Sequence, residues 1–310
     1  MGKLQEVRQR IQSVEGIHAV TRTLATVAAA KLSRTRRRAA GLRLYASRVR
    51  EMVLHQQLYA ARTGIDLGEL SSLLGPRPLT GRIAVLAIAG DRGMCGGYNL
   101  EACRFALDFC EARKAAGQSV RLLLKGRRAI GYFLRRKAEI LHHEPWRRVG
   151  VTAEDVERWL ALLLDQYRSG DVDEVHVVYT EFHSAIRHRP RVVRILPVEL
   201  PARPAEGHPV QVIEKWHYEP ALRELLDDLL ATYLRVQLYD VLLESYASEQ
   251  GARMITMEEA TERADRTMQE YRVLHNRLRR EAITIDLLGT LYASRVGRAA
   301  AAAALTAGPA

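Results

Sequence analysis

Apolar residues recur every three or four positions from the start of the chain. Eight of them, separated by steps of 3, 4, 3, 3, 3, 4 and 3, are Leu4, Val7, Ile11, Val14, Ile17, Val20, Leu24 and Val27. Steps of 3 and 4 place side chains on one face of a helix. The extra step of 3 at Ile17 is typical of a stammer, a local irregularity in a heptad pattern. No proline precedes Pro76, so we predict one long coiled-coil helix over residues 1–65.

A second long helix is predicted at the other end of the chain, over residues 215–297. Residues 221–308 contain no proline, and apolar residues continue there at steps of 3, 4 or 7, among them Met257, Ala260, Ala264, Met268, Tyr271, Leu274, Leu278, Ile285 and Leu288. A single helix of this length is not stable alone in water. We therefore predict that the two long helices pair as an antiparallel coiled coil, followed by a disordered alanine-rich tail at residues 298–310.

Between the long helices, residues 80–205 alternate strand-like and helix-like patterns. Apolar or alternating runs predict strands at residues 83–89, 119–124, 174–180 and 192–200, and amphipathic segments predict helices at residues 100–116, 127–137 and 153–167. Such alternation is typical of a mainly parallel sheet with helices on its faces. The fold class is therefore α/β, a Rossmann-like central domain, combined with a long antiparallel coiled coil of the terminal helices.

Charge is distributed unevenly along the chain, which has a formal net charge of +11. Residues 16–50 contain nine lysines and arginines and no acidic residue. Such a basic segment attracts phosphate, acidic protein or anionic lipid. Nucleic-acid binding, an acidic protein partner and a simply solvated helix face therefore all remain open at this point.

The sequence offers little candidate chemistry. The glycine-rich segment at residues 90–99 follows a predicted strand, where nucleotide-binding folds hold phosphate, but its spacing is neither GxGxxG nor GxxxxGK[ST]. The paired histidines, His142 with His143 and His183 with His188, lack ligand-spaced cysteines or carboxylates. We therefore predict no catalytic, cofactor-binding or metal-binding residues, with a nucleotide-dependent enzyme as an alternative. No apolar run is long enough to span a membrane.

Five segments resemble the γ subunit of F-type rotary ATP synthases. They are residues 21–32 (TRTLATVAAAKL), 90–99 (GDRGMCGGYN), 216–220 (WHYEP), 248–254 (SEQGARM) and 275–284 (HNRLRREAIT). They occur in the family's order, and the resemblance extends to about Val296. It implies a non-catalytic central-stalk rotor that couples ion flow through the membrane sector to conformational cycling of the catalytic β subunits.

The same resemblance implies the partners and their contact residues. The shaft would turn inside an α3β3 ring, and its foot would bind the ε subunit and the c-ring, with no nucleic-acid partner and no cofactor. The complex would hold the chain peripherally at the cytoplasmic face of the bacterial inner membrane. By position within the family's motifs, the residues that contact β subunits are Lys31, Arg253, Arg279, Arg280, Thr284 and Asp286.

Overall fold

A computed structural model describes residues 2–64, 73–74, 80–146, 150–198 and 222–306. The elements in chain order are α1 (Gly2–Thr63), β1 (Arg82–Ile88), α2 (Tyr98–Ala115), β2 (Ser119–Lys125), α3 (Arg127–Leu134), β3 (Ile140–Glu144), α4 (Ala153–Arg168), β4 (Glu174–Phe182), β5 (His188–Leu196) and α5 (Leu222–Thr306). The WHYEP segment at residues 216–220 lies outside the described residues. The chain forms two compact units, one of Met1–Leu24 with Met257–Ala310 and one of Ala25–Thr256.

The Ala25–Thr256 unit contains a five-stranded sheet in the order β3-β2-β1-β4-β5. The β1–β2, β1–β4 and β2–β3 pairs are parallel, and β4–β5 is antiparallel. The predicted Rossmann-like α/β class is confirmed. Strand β5 begins at His188 rather than 192 because Pro190, which lacks an N–H, is tolerated in an edge strand. The short strand β3 was not predicted, since His142 and His143 interrupt its apolar pattern.

Both faces of the sheet are covered, which explains the continuous apolar run of β1. Ala84, Leu86 and Ile88 pack on one side in a cluster with α4, the first part of α5 and residues of α1. Ile83 and Val85 point to the other side, towards α2 and α3. Strands buried on both faces have apolar runs without alternation. Helix α4 begins with a capping box, in which the hydroxyl of Thr152 accepts a hydrogen bond from the Asp155 amide.

In the unit made of Met1–Leu24 and Met257–Ala310, α1 and α5 run antiparallel. Four polar contacts join the two helices: Thr21 with Thr261 at 2.8 Å, His18 with Asp265 at 3.2 Å, Glu15 with Arg272 at 3.2 Å and Arg10 with Tyr271 at 3.5 Å. From Glu15 to Thr21 on α1, the partners on α5 descend from Arg272 to Thr261. The predicted antiparallel coiled coil is therefore confirmed within this unit.

The predicted stammer at Ile17 is wrong. Ile17 and Val20 are 55% and 57% exposed, whereas His18 is half-buried and Thr21 is buried. The covered face of α1 continues from Val14 to His18 and Thr21 by steps of 4 and 3, as in an uninterrupted heptad pattern. Polar side chains are tolerated at these two positions because Asp265 and Thr261 on α5 are their partners.

Helix α5 extends well beyond its contacts with α1. In the antiparallel register set by Arg10 and Tyr271, the start of α1 lies opposite about residue 280 of α5. The remaining turns of α5 expose large apolar side chains, namely Ile283, Ile285, Leu287, Leu288, Leu291 and Tyr292. The tail, for which the sequence predicts disorder, is helical as far as Thr306, because alanine has the highest helix propensity.

Candidate functional site

The candidate site is the crevice at the carboxyl ends of the parallel strands. Strand β1 is central in the sheet. The next two strands, β2 and β3, lie on one side of it, and the chain then crosses to β4 and β5 on the other side. In open α/β sheets this change of direction opens a crevice in which ligands bind. The glycine turn, defined here as residues 90–97, leaves β1 at this point and leads into α2.

Helix α5 occupies this crevice within the Ala25–Thr256 unit. The hydroxyl of Tyr98, at the start of α2, lies 2.9 Å from both the carbonyl oxygen and the Oγ of Ser245. One helical turn further, Ser248 donates a hydrogen bond from its hydroxyl to the carbonyl of Thr180 on β4 at 3.0 Å. Ser245 and Ser248 are both fully buried. These bonds fix the position of α5 against β4 and α2.

A buried ion pair on α5 continues this attachment to the glycine turn. Glu249 and Arg253 form it at 2.6 Å and are 6% and 9% exposed. The Arg253 guanidinium also donates to the carbonyl of Gly93 at 3.3 Å and lies 3.5 Å from that of Arg92. Burial raises the pKa of Glu249, and the charge of Arg253 opposes that rise. Arg253 thus neutralises a buried acid and holds the turn on the helix.

The glycine turn is also braced from within. The side-chain oxygen of Asn99 accepts a hydrogen bond from the Gly90 amide at 2.8 Å, and its amide group donates to the Arg92 carbonyl at 3.0 Å. A Cβ on Gly90 would lie 2.7 Å from the carboxyl group of Glu249. Met94, which is exposed at the tip, has a φ of 62°, a conformation uncommon for residues other than glycine. A side chain at position 90 would therefore displace the Glu249 carboxyl group from the turn.

A second set of contacts closes the neighbouring side of the crevice. The indole N–H of Trp146 donates to the carbonyl of Ala89 at 2.9 Å. The carboxylate of Asp91 accepts from the backbone N–H groups of Arg127 at 2.8 Å and Trp146 at 3.3 Å. Gly126 has a φ of 102°, and a Cβ there would lie 2.1 Å from the Ala89 oxygen. The loops after β1, β2 and β3 therefore hold one another.

Lys125, at the end of β2, is completely buried beneath these loops. Its ammonium lies 3.3 Å from Asp155 and 3.7 Å from Glu144. It also lies 4.8 Å from the ring centre of Trp146 and 5.7 Å from that of Trp159, within the range of a cation–π contact. Burial alone would raise the pKa of Asp155, but hydrogen bonds from Thr152 and the charge of Lys125 together hold it below its usual value.

This geometry is poorly suited to a nucleotide. The first amide of the turn, that of Gly90, already donates to Asn99, and the Glu249 carboxyl lies against it. A phosphate entering here would meet a carboxylate and the packed side of α5. The arrangement instead joins a long helix rigidly to a domain, which is a mechanical function.

The structure distributes the six predicted partner-contact residues over both units. Lys31 and Arg253 belong to the Ala25–Thr256 unit, where burial, followed by the charges of Arg253 and Arg92, lowers the pKa of Lys31. The other four, all exposed on one stretch of α5 in the other unit, are Arg279, Arg280, Thr284 and Asp286. The side-chain hydrogen bonds of Arg280 and Thr284 go to carbonyls of their own helix, those of Asn276 and Arg280. Arg253 differs, because it forms a buried ion pair and also reaches the glycine turn, a distant segment of the chain.

Sequence reasoning missed the residues that make the attachment, above all Tyr98, Asn99, Ser245, Ser248 and Glu249. One signal for the ion pair was present, because Glu249 precedes Arg253 by four residues and such pairs face each other on a helix. The burial of this pair depends on packing between distant segments. That burial has no local signature.

The sequence matches a known protein family. A family model described as ATP synthase matches residues 3–289. The chain belongs to this family. It is 33% identical to the ATP synthase gamma chain of Frankia casuarinae over 92% of its own length and 95% of that protein. It is 35% identical to the ATP synthase gamma chain of an Anaeromyxobacter species, over 93% of its own length and 97% of that protein.

Solved structures of this family have the same fold. A chain in the Euglena gracilis mitochondrial ATP synthase, in rotational state 3, matches with a TM-score of 0.59 and 14% identity over 96% of both chains. A chain in the central stalk and c-ring structure of the Tetrahymena thermophila mitochondrial ATP synthase matches with a TM-score of 0.55 and 19% identity, covering 78% of this chain and 99% of the other. The comparisons together confirm the ATP synthase γ-chain family and its fold, and the γ chain is a non-catalytic subunit of that enzyme.

Two absences concern only the residues that the structure describes. None of the helices they form is long and apolar enough to cross a membrane. They contain no group of three or more histidine, cysteine or acidic side chains able to hold a metal ion.

Proposed function

We propose that this chain is the central rotor shaft of a bacterial ATP synthase, and that the crevice is where torque passes between the Rossmann-like domain and the long helices. The observation that carries this proposal is the buried attachment of α5 in the crevice. Buried bonds from Ser245, Ser248 and Arg253 fix the helix to β4, α2 and the glycine turn. The same helix is 85 residues long. A helix held this firmly at one part of its length transmits rotation along the rest.

The coupling follows from differential contact. Three chemically identical β subunits adopt different states only if something asymmetric interacts with each of them differently. A shaft with one exposed helical end presents a different surface to each β subunit at any angle. Rotation then carries every β subunit in turn through states that bind substrates, form ATP and release it. Hydrolysis would drive the same cycle in reverse.

Magnitudes indicate that this coupling is spread over many contacts. A thousandfold difference in nucleotide affinity between two β subunits corresponds to about 4 kcal/mol. One exposed ion pair contributes about 0.2–1 kcal/mol. The exposed residues Arg279, Arg280, Thr284 and Asp286 would therefore act together, along with the large apolar side chains near them. Lys31 adds a positive charge to the set of proposed β contacts.

The remaining partners follow from the same proposal. The α3β3 ring would surround the long helices, and the other end of the rotor would bind the ε subunit and the c-ring. The complex would then hold the chain at the cytoplasmic face of the inner membrane. The basic segment at residues 16–50 would suit acidic segments of β subunits.

Reconstitution tests this function. The tagged chain is co-expressed with the α and β subunits of its own operon, and the purified material is analysed for composition, ATPase activity and rotation of a bead attached to the chain. We expect an α3β3γ complex in which ATP turns the bead in one direction. Recovery of the chain alone, or a complex whose ATPase runs without rotation, would contradict the proposal.

A matched pair of variants tests the contact residues. Alanine at Arg279, Arg280, Thr284 and Asp286 together should lower the torque or the ATPase rate several-fold, with helix content unchanged. The control replaces four exposed residues elsewhere on α5, namely Glu259, Glu262, Arg263 and Arg266, whose i,i+4 pairs are solvent-exposed. An equal loss of torque or ATPase rate in both variants would show that the four residues have no specific contact role.

A further inference from the structure

A cavity lies between α1, α5 and the hairpin of β4 and β5, all within the Ala25–Thr256 unit. Its volume is about 190 Å³. Helix α1 contributes Arg36 and Arg43 to its lining, the hairpin contributes Phe182 and His183, and α5 contributes Glu244. The guanidinium of Arg36 also lies over the ring of Phe182, 5.8 Å from its centre. The three elements are therefore separated here by a space lined with ionisable groups.

Three carboxyl groups face this region from two sides. Asp240 and Glu244 lie one helical turn apart on α5, and the charges of Asp240 and of Glu181 on β4 both raise the pKa of Glu244. Glu181 has partners on the hairpin, because Arg191 contacts it at 2.6 Å and His183 at 3.3 Å. Within the described part of the chain, no hydrogen bond reaches the buried Oδ1 of Asp240. The carboxyl groups on α5 are therefore compensated less well than Glu181.

The positive groups nearby come from α1 and β5. Arg43 and Arg50 face Asp240, and Arg43 and Arg191 face Glu244. Within the described residues, no ion pair joins Arg43 to either acid. Burial, followed by the charges of Asp240 and Glu181, raises the pKa of Glu244 to about 7. Tyr179 on β4 lies close enough that the charge of Glu244 contributes to raising its pKa as well.

We propose that protonation of Glu244 sets how firmly the β4–β5 hairpin is held on α1 and α5. Neutral Glu244 adds no charge to the cavity, so the repulsion between α5 and the hairpin is smaller than when it is ionised. Ionised Glu244 places a third carboxylate beside Asp240 and Glu181 in a partly desolvated space, where like charges repel. The hairpin then opens more often. This is a pH-responsive attachment between the domain and the shaft, and no catalytic step is involved.

The direction of the effect follows from linkage. The pKa of Glu244 in the folded chain is above its ordinary value of 4.5. The stabilisation from the protonated group is thus complete below that ordinary value and is lost as the pH rises through about 7. Opening of the hairpin should therefore increase by up to about tenfold per pH unit over this window and level off above it, because a single proton is involved.

Hydrogen–deuterium exchange on the full-length chain tests the proposal. Protection of the β5 amides, corrected for intrinsic exchange, should fall as the pH rises from 5 to 7 and then become constant. Glu244→Gln should remain protected across the range. Asp240→Asn should lower the pKa of Glu244 and move the plateau to lower pH. Amides of β2, at the centre of the sheet, provide the internal control.

Two results would overturn the proposal. The first is a wild-type profile that is flat with pH or that persists in Glu244→Gln. The second is loss of the pH dependence in His183→Gln but not in Glu244→Gln, because His183 lines the same cavity and would then be the responsible group. A pH titration followed by NMR of the carboxyl carbons measures Glu244 directly, and its signal is assigned because it disappears in Glu244→Gln. A titration midpoint near pH 4.5, the ordinary value, would also reject the proposal.

Discussion

The Arg253 guanidinium donates a hydrogen bond to the Glu249 carboxylate at 2.6 Å, and the same guanidinium reaches the Gly93 carbonyl at 3.3 Å. One side chain therefore satisfies a buried acid and the main chain of the glycine turn. Because both charged groups are nearly excluded from water, each depends on the other. The attachment of α5 to the sheet should thus be more sensitive to changes here than at any exposed ion pair of the same helix.

Removal of one partner of this pair should be costly. Arg253→Ala leaves Glu249 buried with only the more distant charge of Lys31 to oppose its burial, and we expect a loss of about 3–5 kcal/mol in the free energy of unfolding. Glu249→Leu combined with Arg253→Met should cost much less, because no charge is left buried. Chemical denaturation of the full-length chain measures both. Arg266→Ala, at an exposed pair, is the control and should cost less than about 1 kcal/mol. Equal costs at the two arginines would show that burial of the pair is unimportant.

Two glycines in neighbouring segments should respond in opposite directions to alanine. In Gly126→Ala the alanine would have to adopt a φ of 102°, and its Cβ would lie 2.1 Å from the Ala89 oxygen. Because that oxygen belongs to the backbone, it cannot be displaced without moving the loop. We expect it to destabilise the chain by more than about 3 kcal/mol. Gly131→Ala, inside α3 and with only the end of Arg135 within reach, should stabilise it by about 0.5–1 kcal/mol. Thermal unfolding of the two variants distinguishes these outcomes, and a tolerated Gly126→Ala would contradict the close approach of the two loops.

Lys125 provides a third test. Lys125→Met keeps the length of the side chain but removes a cation that, together with Arg158, contacts Asp155 and Glu144. We expect a loss of about 2–4 kcal/mol, since two partly or fully buried carboxylates lose a partner. Lys114→Met, at an exposed lysine near the end of α2, is the control. Tryptophan fluorescence should also change in Lys125→Met only, because the ammonium lies against Trp146 and Trp159.

Acid should weaken the start of β1 through Asp173. Burial by itself would raise the pKa of this carboxyl, but hydrogen bonds from the Thr80 hydroxyl at 2.7 Å and the Arg82 amide at 3.0 Å lower it overall. A lowered folded-state pKa gives stability that is present above the ordinary value of 3.8 and is lost as the pH falls below it. Unfolding followed from pH 6 to pH 2 should show this loss in the wild type. Asp173→Asn should be less stable at pH 6, and its stability should depend less on pH in acid. If stability fell with pH as steeply in Asp173→Asn as in the wild type, the proposed role of Asp173 would be wrong.

Local sequence patterns predicted the elements more successfully than the contacts between them. The apolar run of β1 and the Thr152 cap of α4 are local features, and both are observed. The covered face of α1 was predicted through Ile17 and Val20, yet His18 and Thr21 occupy it. Hydrophobicity is a poor guide at those positions because partners on a helix some 240 residues away satisfy the polar groups. The same limit applies to the crevice, where Ser245 and Ser248 look like ordinary helix residues until their distant acceptors are known.

The last turns of α5 carry bulky side chains that the described residues leave exposed, among them Ile285, Leu291 and Tyr292. Exposed patches of this kind promote self-association when the surface that normally covers them is missing. Molecules of this chain made in excess of the other subunits would therefore aggregate or be degraded. If the proposed partner subunits cover these turns in the enzyme, this helix makes balanced synthesis of the subunits necessary.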